Sequence, residues 1–182
     1  MRATDASEYV HVRAQAARAV GARERKCHNA RVSDLNARIL ETALSFLGTH
    51  EVAGTEHNPL ILGWFAAAGS SWVHDDETAW CAAFACGVAV EAGAYNPRTI
   101  RAHEWLNIAP EHAEHIDHID RVTPGDVVVL SRGPNLFHVT FAYVQRRTYL
   151  RCIGGNQGNA VRFSNYERDK FIGARRLKRA TS

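Results

Sequence analysis

Thr123-Pro124-Gly125-Asp126-Val127-Val128-Val129-Leu130 is where the chain changes its period. Pro124-Gly125 is a turn pair. The valine run behind it reads as a strand, because β-branched side chains crowd a helical turn and fit a pleated sheet. Downstream, Asp126 to Leu130, Phe137 to Val144, Thr148 to Ile153, Ala160 to Phe163 and Phe171 to Leu177 are strand-like runs. Turn residues such as Arg132-Gly133-Pro134-Asn135 separate them, so the second half reads as an antiparallel meander.

Upstream of that stretch the period is helical. Ser33 or Asp34 caps a helix with Leu35, Ile39, Leu40, Ala43, Leu44 and Leu47 on one face, closed by Gly48. Asn58-Pro59 supplies a cap and a first-turn proline for a second, running through Leu60, Leu62, Trp64 and Phe65 to Gly69. A third is capped by Thr78, runs from Trp80 to Ala92 and stops at Gly93, which can take the left-handed conformation. A short fourth, capped by Thr99, carries Ile100 and Trp105. Helices first and an antiparallel sheet second make an α+β domain. Residues 1–32 are rich in Ala and Arg with few large apolar side chains and read as a basic arm, which leaves 33–182 as the folded domain.

The 182 residues suit a single core, and no apolar run approaches the roughly 20 residues of a membrane span. The first residues lack the apolar segment of a secretory signal, so the protein is expected to be made in the cytoplasm and to act elsewhere only after release or delivery. Cys27, Cys81, Cys86 and Cys152 include no CxxC pair and read as free thiols, with no metal or other cofactor implied. The net charge of +3 hides a clustering of basic residues at the two ends, Arg13 to Arg31 and Arg168 to Arg179. Such ends suit an anionic envelope polymer, or are simply solvated; no basic stripe interleaved with aromatics points to nucleic acid.

Cys81 falls in the first turn of the third helix. Unpaired backbone N–H groups and the positive end of the helix dipole there favour thiolate, the nucleophilic form. Ala82 and Ala83 leave room beside the sulfur, while Phe84, Val88 and Ala92 bury one face of the helix. A buried structural cysteine is the commoner fate of a lone Cys, and Cys86, five residues on and roughly 140° around the helix, fits that description.

In Phe137-His138-Val139-Thr140-Phe141-Ala142-Tyr143, alternation puts His138 on the face opposite Phe137, Val139 and Phe141, beside a turn where side chains border a cleft. If the following hairpin turns about Arg146-Arg147, a three-residue loop sets Asn156 opposite His138 and a two-residue loop sets Gly155 there. Nucleophile, imidazole and carboxamide together imply acyl transfer at an amide through a thioester: the imidazole takes the thiol proton and returns it to the leaving amine, while the amide orients the ring.

Leu47-Gly48-Thr49-His50-Glu51-Val52-Ala53-Gly54, Asp76-Glu77-Thr78-Ala79-Trp80-Cys81-Ala82-Ala83-Phe84, Thr123 to Leu130, His138-Val139 and Gly154-Gly155-Asn156-Gln157 stand in a telling order. Over residues 35–177 the chain thereby resembles the NlpC-type and CHAP-type papain-like cysteine peptidases and amidases that cut bacterial peptidoglycan. The resemblance implies a papain-like fold, Cys81 as nucleophile, His138 as base, Asn156 as orienting residue, and Trp80 and Gln157 as substrate contacts. It implies an endolysin-like monomer acting on peptidoglycan, either phage-type or a delivered antibacterial toxin. Thr140 departs from it where many relatives carry a small residue, and Asp75-Asp76-Glu77 matches only loosely the carboxylates with which several CHAP-type relatives bind calcium. The different class of function open to the same scaffold is non-catalytic wall binding or membrane perturbation through the basic ends. Glu111-His112-Ala113-Glu114-His115-Ile116-Asp117-His118 reads as a solvated connection rather than a metal site.

Overall fold

A computed structural model describes residues 34–181, so the basic arm, Ser33 and Cys27 lie outside the described residues. Helix α1, Asp34–Ser45, buries Leu35, Ile39 and Ala43 at helical spacing. Asn36 is buried on the same helix and donates through Nδ2 to Asp126 Oδ1 at 2.8 Å and to the Pro124 carbonyl at 3.1 Å, which ties the helix to the turn ahead of the sheet. Gly125 of that turn has φ 87°, and a Cβ there would collide with the Asn36 carbonyl, so glycine is required twice over.

Helix α2, Pro59–Ala67, begins as expected: the Asn58 side chain accepts the Leu60 N–H at 3.0 Å and Pro59 takes the first position. Helix α3, Cys81–Ala92, is the centre of the molecule and differs from expectation at both its start and its surface. Its N-cap is Trp80, with no side-chain cap; Thr78 lies outside the helix, and its N–H is accepted by Asp75 at 2.7 Å. Cys81 is thereby the first helical residue. The helix is also buried nearly all round rather than on one face. A missing cap costs about 1 kcal/mol, whereas burying Phe84 alone stabilises by about 2 kcal/mol, so packing decides where this helix begins. Trp64 and Phe46 meet the Phe84 ring from α2 and from beyond α1, at 5.0 and 6.3 Å between centroids, and Phe141 of the sheet meets it at 6.1 Å. Gly93 closes α3 with φ 71°, as expected.

Six antiparallel strands follow: β1 Ala113–Ile116, β2 Val127–Gly133, β3 Leu136–Gln145, β4 Tyr149–Gly154, β5 Arg162–Glu167 and β6 Phe171–Leu177, in the spatial order β1-β6-β2-β3-β4-β5. Strand β1 was not anticipated. It occupies the segment read as a solvated connection, pairs with β6, and makes β2 the second strand rather than the first. Two of that segment's three histidines are occupied: His112 stacks on Tyr95 at 3.9 Å and His115 Nε2 lies 2.6 Å from the Ile108 carbonyl. The fourth helix is a 3-10 segment, Ala102–Asn107, one turn too short for an α-helix to gain stability.

The valine run is continuous because both faces of the sheet are covered. Val127, Val129, Val139, Phe141 and Ile153 pack with the helices. Val128, Leu130, Ala142, Leu150 and Cys152 form a second cluster on the other face, lidded by Ile119, Tyr166 and Phe171. The architecture is therefore α+β, with helices ahead of an antiparallel sheet. The C-terminal basic residues are held internally: Arg168 pairs with Asp120, Lys170 with Asp169, Arg176 with Asp126 and Glu114, and Arg179 with Asp34, while Arg175 is buried and donates to backbone carbonyls. No described helix is long and apolar enough to cross a membrane.

Candidate active site

The first pairs of the β3–β4 ladder from its upstream end are Phe141–Ile153 and Ala142–Cys152, the register of the longer loop, and continuing it would set Asn156 opposite His138. The ladder does not continue. β4 ends at Gly154, and Asn156 takes φ 52°, so the chain turns away and the next side chain, Gln157, swings back over the strand. Asn156 instead lines an open groove of about 390 Å³ with Glu51, Val52, Ala53, Glu77 and Asn159. The residue that meets His138 is Gln157, whose Oε1 lies 3.1 Å from Nε2 of the ring. The expected carboxamide is present, one residue later than the ladder predicted.

Two glycines make this turn possible by having no side chain. A Cβ on Gly154 would fall 2.5 Å from the Thr140 hydroxyl oxygen and 3.0 Å from Gln157 Oε1, on the site's own face. A Cβ on Gly155 would fall 2.5 Å from Phe84 Cβ and from Trp80 Cζ3, on the helix face. Thr140, the departure from the resembled pattern, is accommodated there: its hydroxyl donates to the Ile153 carbonyl at 2.8 Å.

The hydrogen bonds around Gln157 determine the tautomer of His138. Gln157 Nε2 donates to the Arg162 carbonyl and Tyr166 Oη donates to Gln157 Oε1 at 2.7 Å, so the amide oxygen faces the ring. An amide oxygen only accepts, hence Nε2 of His138 carries the hydrogen and Nδ1 bears the lone pair. Nδ1 is buried with no hydrogen-bond partner. A buried unpartnered acceptor is costly. His138 itself is fully buried rather than bordering an open cleft, because Leu130 across the ladder, Tyr166 and Gln157 enclose it. Burial, reinforced by the Arg132 guanidinium and opposed by the Gln157 bond, holds its pKa down to about 3, so the imidazole is neutral.

Where β4 leaves β3, the backbone N–H of Val139, the residue after His138, lies near the Cys81 sulfur and favours its thiolate, as do the N–H groups at the start of α3. Helix start and imidazole strand thus converge. Burial nevertheless outweighs these N–H groups and the Arg132 charge, and the Cys81 pKa is pushed up, so at rest the residue is a thiol and not the thiolate expected from the helix dipole alone. Cys81 retains some exposure to solvent, whereas Cys86 and Cys152 are sealed. The Cys86 thiol, donating to the Thr99 carbonyl at 3.4 Å, is raised to about 11 by burial.

The remaining site expectations are redistributed. Trp80 is wholly buried, stacked near Trp64 at 5.7 Å, with its indole N–H on Glu51 at 2.7 Å; it is core and not a substrate contact. Gln157 is 2% exposed and orients the ring rather than meeting substrate. Ala82 and Ala83 are fully buried and let α3 approach the sheet instead of lining a cleft. Asp76 is an internal anchor accepting Val52 N–H at 2.8 Å, Asn58 N–H at 2.9 Å and His57 Nδ1 at 3.2 Å; burial alone would raise its pKa, but these bonds prevail and lower it. Among the described residues no group of three or more His, Cys, Asp or Glu is arranged to hold a metal ion. Tyr166 and Arg132 were not singled out from sequence, and no local pattern there could have found them. Comparison with protein-family models, curated proteins and solved structures found no match.

Proposed function

We propose that the protein is a papain-like cysteine hydrolase that cleaves an amide or peptide bond of bacterial peptidoglycan, an endolysin-like activity, with Cys81 as nucleophile, His138 as general base and Gln157 as the orienting residue. The observation that carries this reading is the ring of His138, held by Gln157 at Nε2 and left with an unpartnered Nδ1 lone pair, on the strand whose next residue, Val139, has its N–H near the Cys81 sulfur. Nδ1 takes the thiol proton as the sulfur attacks the carbonyl carbon, a step that need not pass through a resting ion pair. The N–H groups of Cys81 and Ala82 at the start of α3 are suited to the developing oxyanion. The C–N bond then breaks, the amine leaves with the proton from Nδ1, and water activated by the same nitrogen hydrolyses the thioester. The choice of peptidoglycan rests on the resemblance of the sequence blocks around these residues.

Cys81→Ala is expected to abolish clearing of a peptidoglycan suspension while retaining the wild-type circular dichroism spectrum; undiminished clearing refutes the mechanism. Mass spectrometry of the digest, reading whether sugars stay attached to released peptides, separates amidase from endopeptidase. Wall binding through the basic ends is disfavoured at the C-terminal end, where Arg168, Arg176 and Arg179 already hold carboxylates.

A further inference from the structure

Leu130 faces His138 across the β2–β3 ladder, and beyond it the register slips, so that Arg132 lies between Ser131, paired with Phe137, and Gly133, paired with Leu136. Arg132 is thus the extra residue of a β-bulge, a device that re-aims a side chain out of the ladder. Alternation along β2 puts it on the face of Leu130 and His138. Its charge acts on Tyr166 and on His138, and Tyr166 donates to Gln157 Oε1 at 2.7 Å. An exposed cation thus stands beside the network that orients the imidazole.

Among the described residues that cation has no counter-charge within ion-pair distance. No ion pair among the described residues involves Arg132, although Arg101, Arg121, Arg168, Arg176 and Arg179 each hold a carboxylate. A guanidinium offers five donors in a planar fork, a shape that matches a carboxylate in two parallel bonds. We propose that Arg132 is a specificity-determining residue that binds a free carboxylate of the peptide substrate at the mouth of the Cys81–His138 site. This rests on the hydrolase reading above and names the chemical class that the site selects, a peptide bearing an unamidated carboxyl group close to the scissile amide. The electrostatics support it. Of the groups acting on His138, namely Leu130 and Arg132 from β2, Tyr166 from β5 and Gln157, only Arg132 carries a fixed charge, and that charge opposes protonation of the base. A substrate carboxylate cancels that opposition as it binds, so the base gains proton affinity when substrate is in place.

The test uses the full chain carrying Cys81→Ala, which binds without turnover, and a peptidoglycan stem peptide compared by calorimetry with versions amidated at one carboxyl group at a time. One amidation is expected to weaken binding roughly tenfold to a hundredfold, the value of a charge-assisted pair. Adding Arg132→Gln should reduce that discrimination to less than about twofold, and Arg132→Lys should restore part of it, since a point charge keeps attraction but loses the fork. Equal binding of all peptides, no binding of any, or discrimination that survives Arg132→Gln overturns the proposal. Cleavage is scored separately with Cys81 intact. Cleavage without carboxylate discrimination sinks Arg132 and leaves the hydrolase standing, whereas discriminated binding without cleavage does the reverse.

Discussion

Replacing Gln157 by Ala removes three hydrogen bonds at once: those it accepts from Tyr166 and His138 and the one it donates to the Arg162 carbonyl. The three losses are unequal. Tyr166 is only partly buried and can turn to water, but His138 has no exposed surface, and its Nε2–H would join Nδ1 in having no partner. One stranded buried donor costs about 1–3 kcal/mol and the lost packing about 1 kcal/mol more, so a decrease of roughly 2–4 kcal/mol is expected, or about 5–15 °C in Tm. The rate should suffer more than the fold. With the ring free to change tautomer and tilt, a displacement near 1 Å lowers turnover by about a hundredfold. The control is Asn156→Gly, which keeps the left-handed backbone at φ 52° and removes only a side chain on the groove wall; it should stay within about 0.5 kcal/mol of wild type and clear peptidoglycan at a similar rate. Urea denaturation and turbidity clearing on the three proteins decide the matter. If Asn156→Gly lost activity while Gln157→Ala kept it, the assignment of the orienting residue and the tautomer argument built on it would both be wrong.

His138 also makes the fold acid-sensitive. Its folded pKa of about 3 lies below the ordinary 6.5, so between those values the unfolded chain binds a proton that the native chain does not. Stability present above pH 6.5 is therefore lost as pH falls toward 3, by an amount on the order of 5 kcal/mol at about 1.4 kcal/mol per unit. His138→Gln should flatten that part of a urea-midpoint-against-pH curve, and parallel curves for the two proteins would contradict the burial. Gly155→Ala should cost about 1–3 kcal/mol in a thermal melt, because its Cβ would fall 2.5 Å from Phe84 and Trp80, both locked in the core; a wild-type Tm would show that α3 can retreat from the turn.

Period and punctuation carried most of the architecture. The switch at Pro124-Gly125, the Asn58-Pro59 start and the Gly93 stop are local chemistry, and each element they bound is present in the fold. Cysteine at a helix start and histidine on the following sheet were equally readable, since both depend on neighbours within a turn or a strand. Strand β1 was missed because it is an edge of four residues whose only partner lies some sixty positions later.

The site required the assembled molecule. One residue in the left-handed conformation, Asn156, reverses which side chain faces the imidazole, and no ladder rule foresees where a strand will stop. Trp80 and the alanines after Cys81 are apolar or small in either a cleft or a core, and only the close approach of α3 to the sheet decided for the core. The ionisation of Cys81 shifted for the same reason: a helix terminus favours thiolate through a few N–H groups, but desolvation grows with everything packed around the sulfur, a quantity that exists only once distant segments have met.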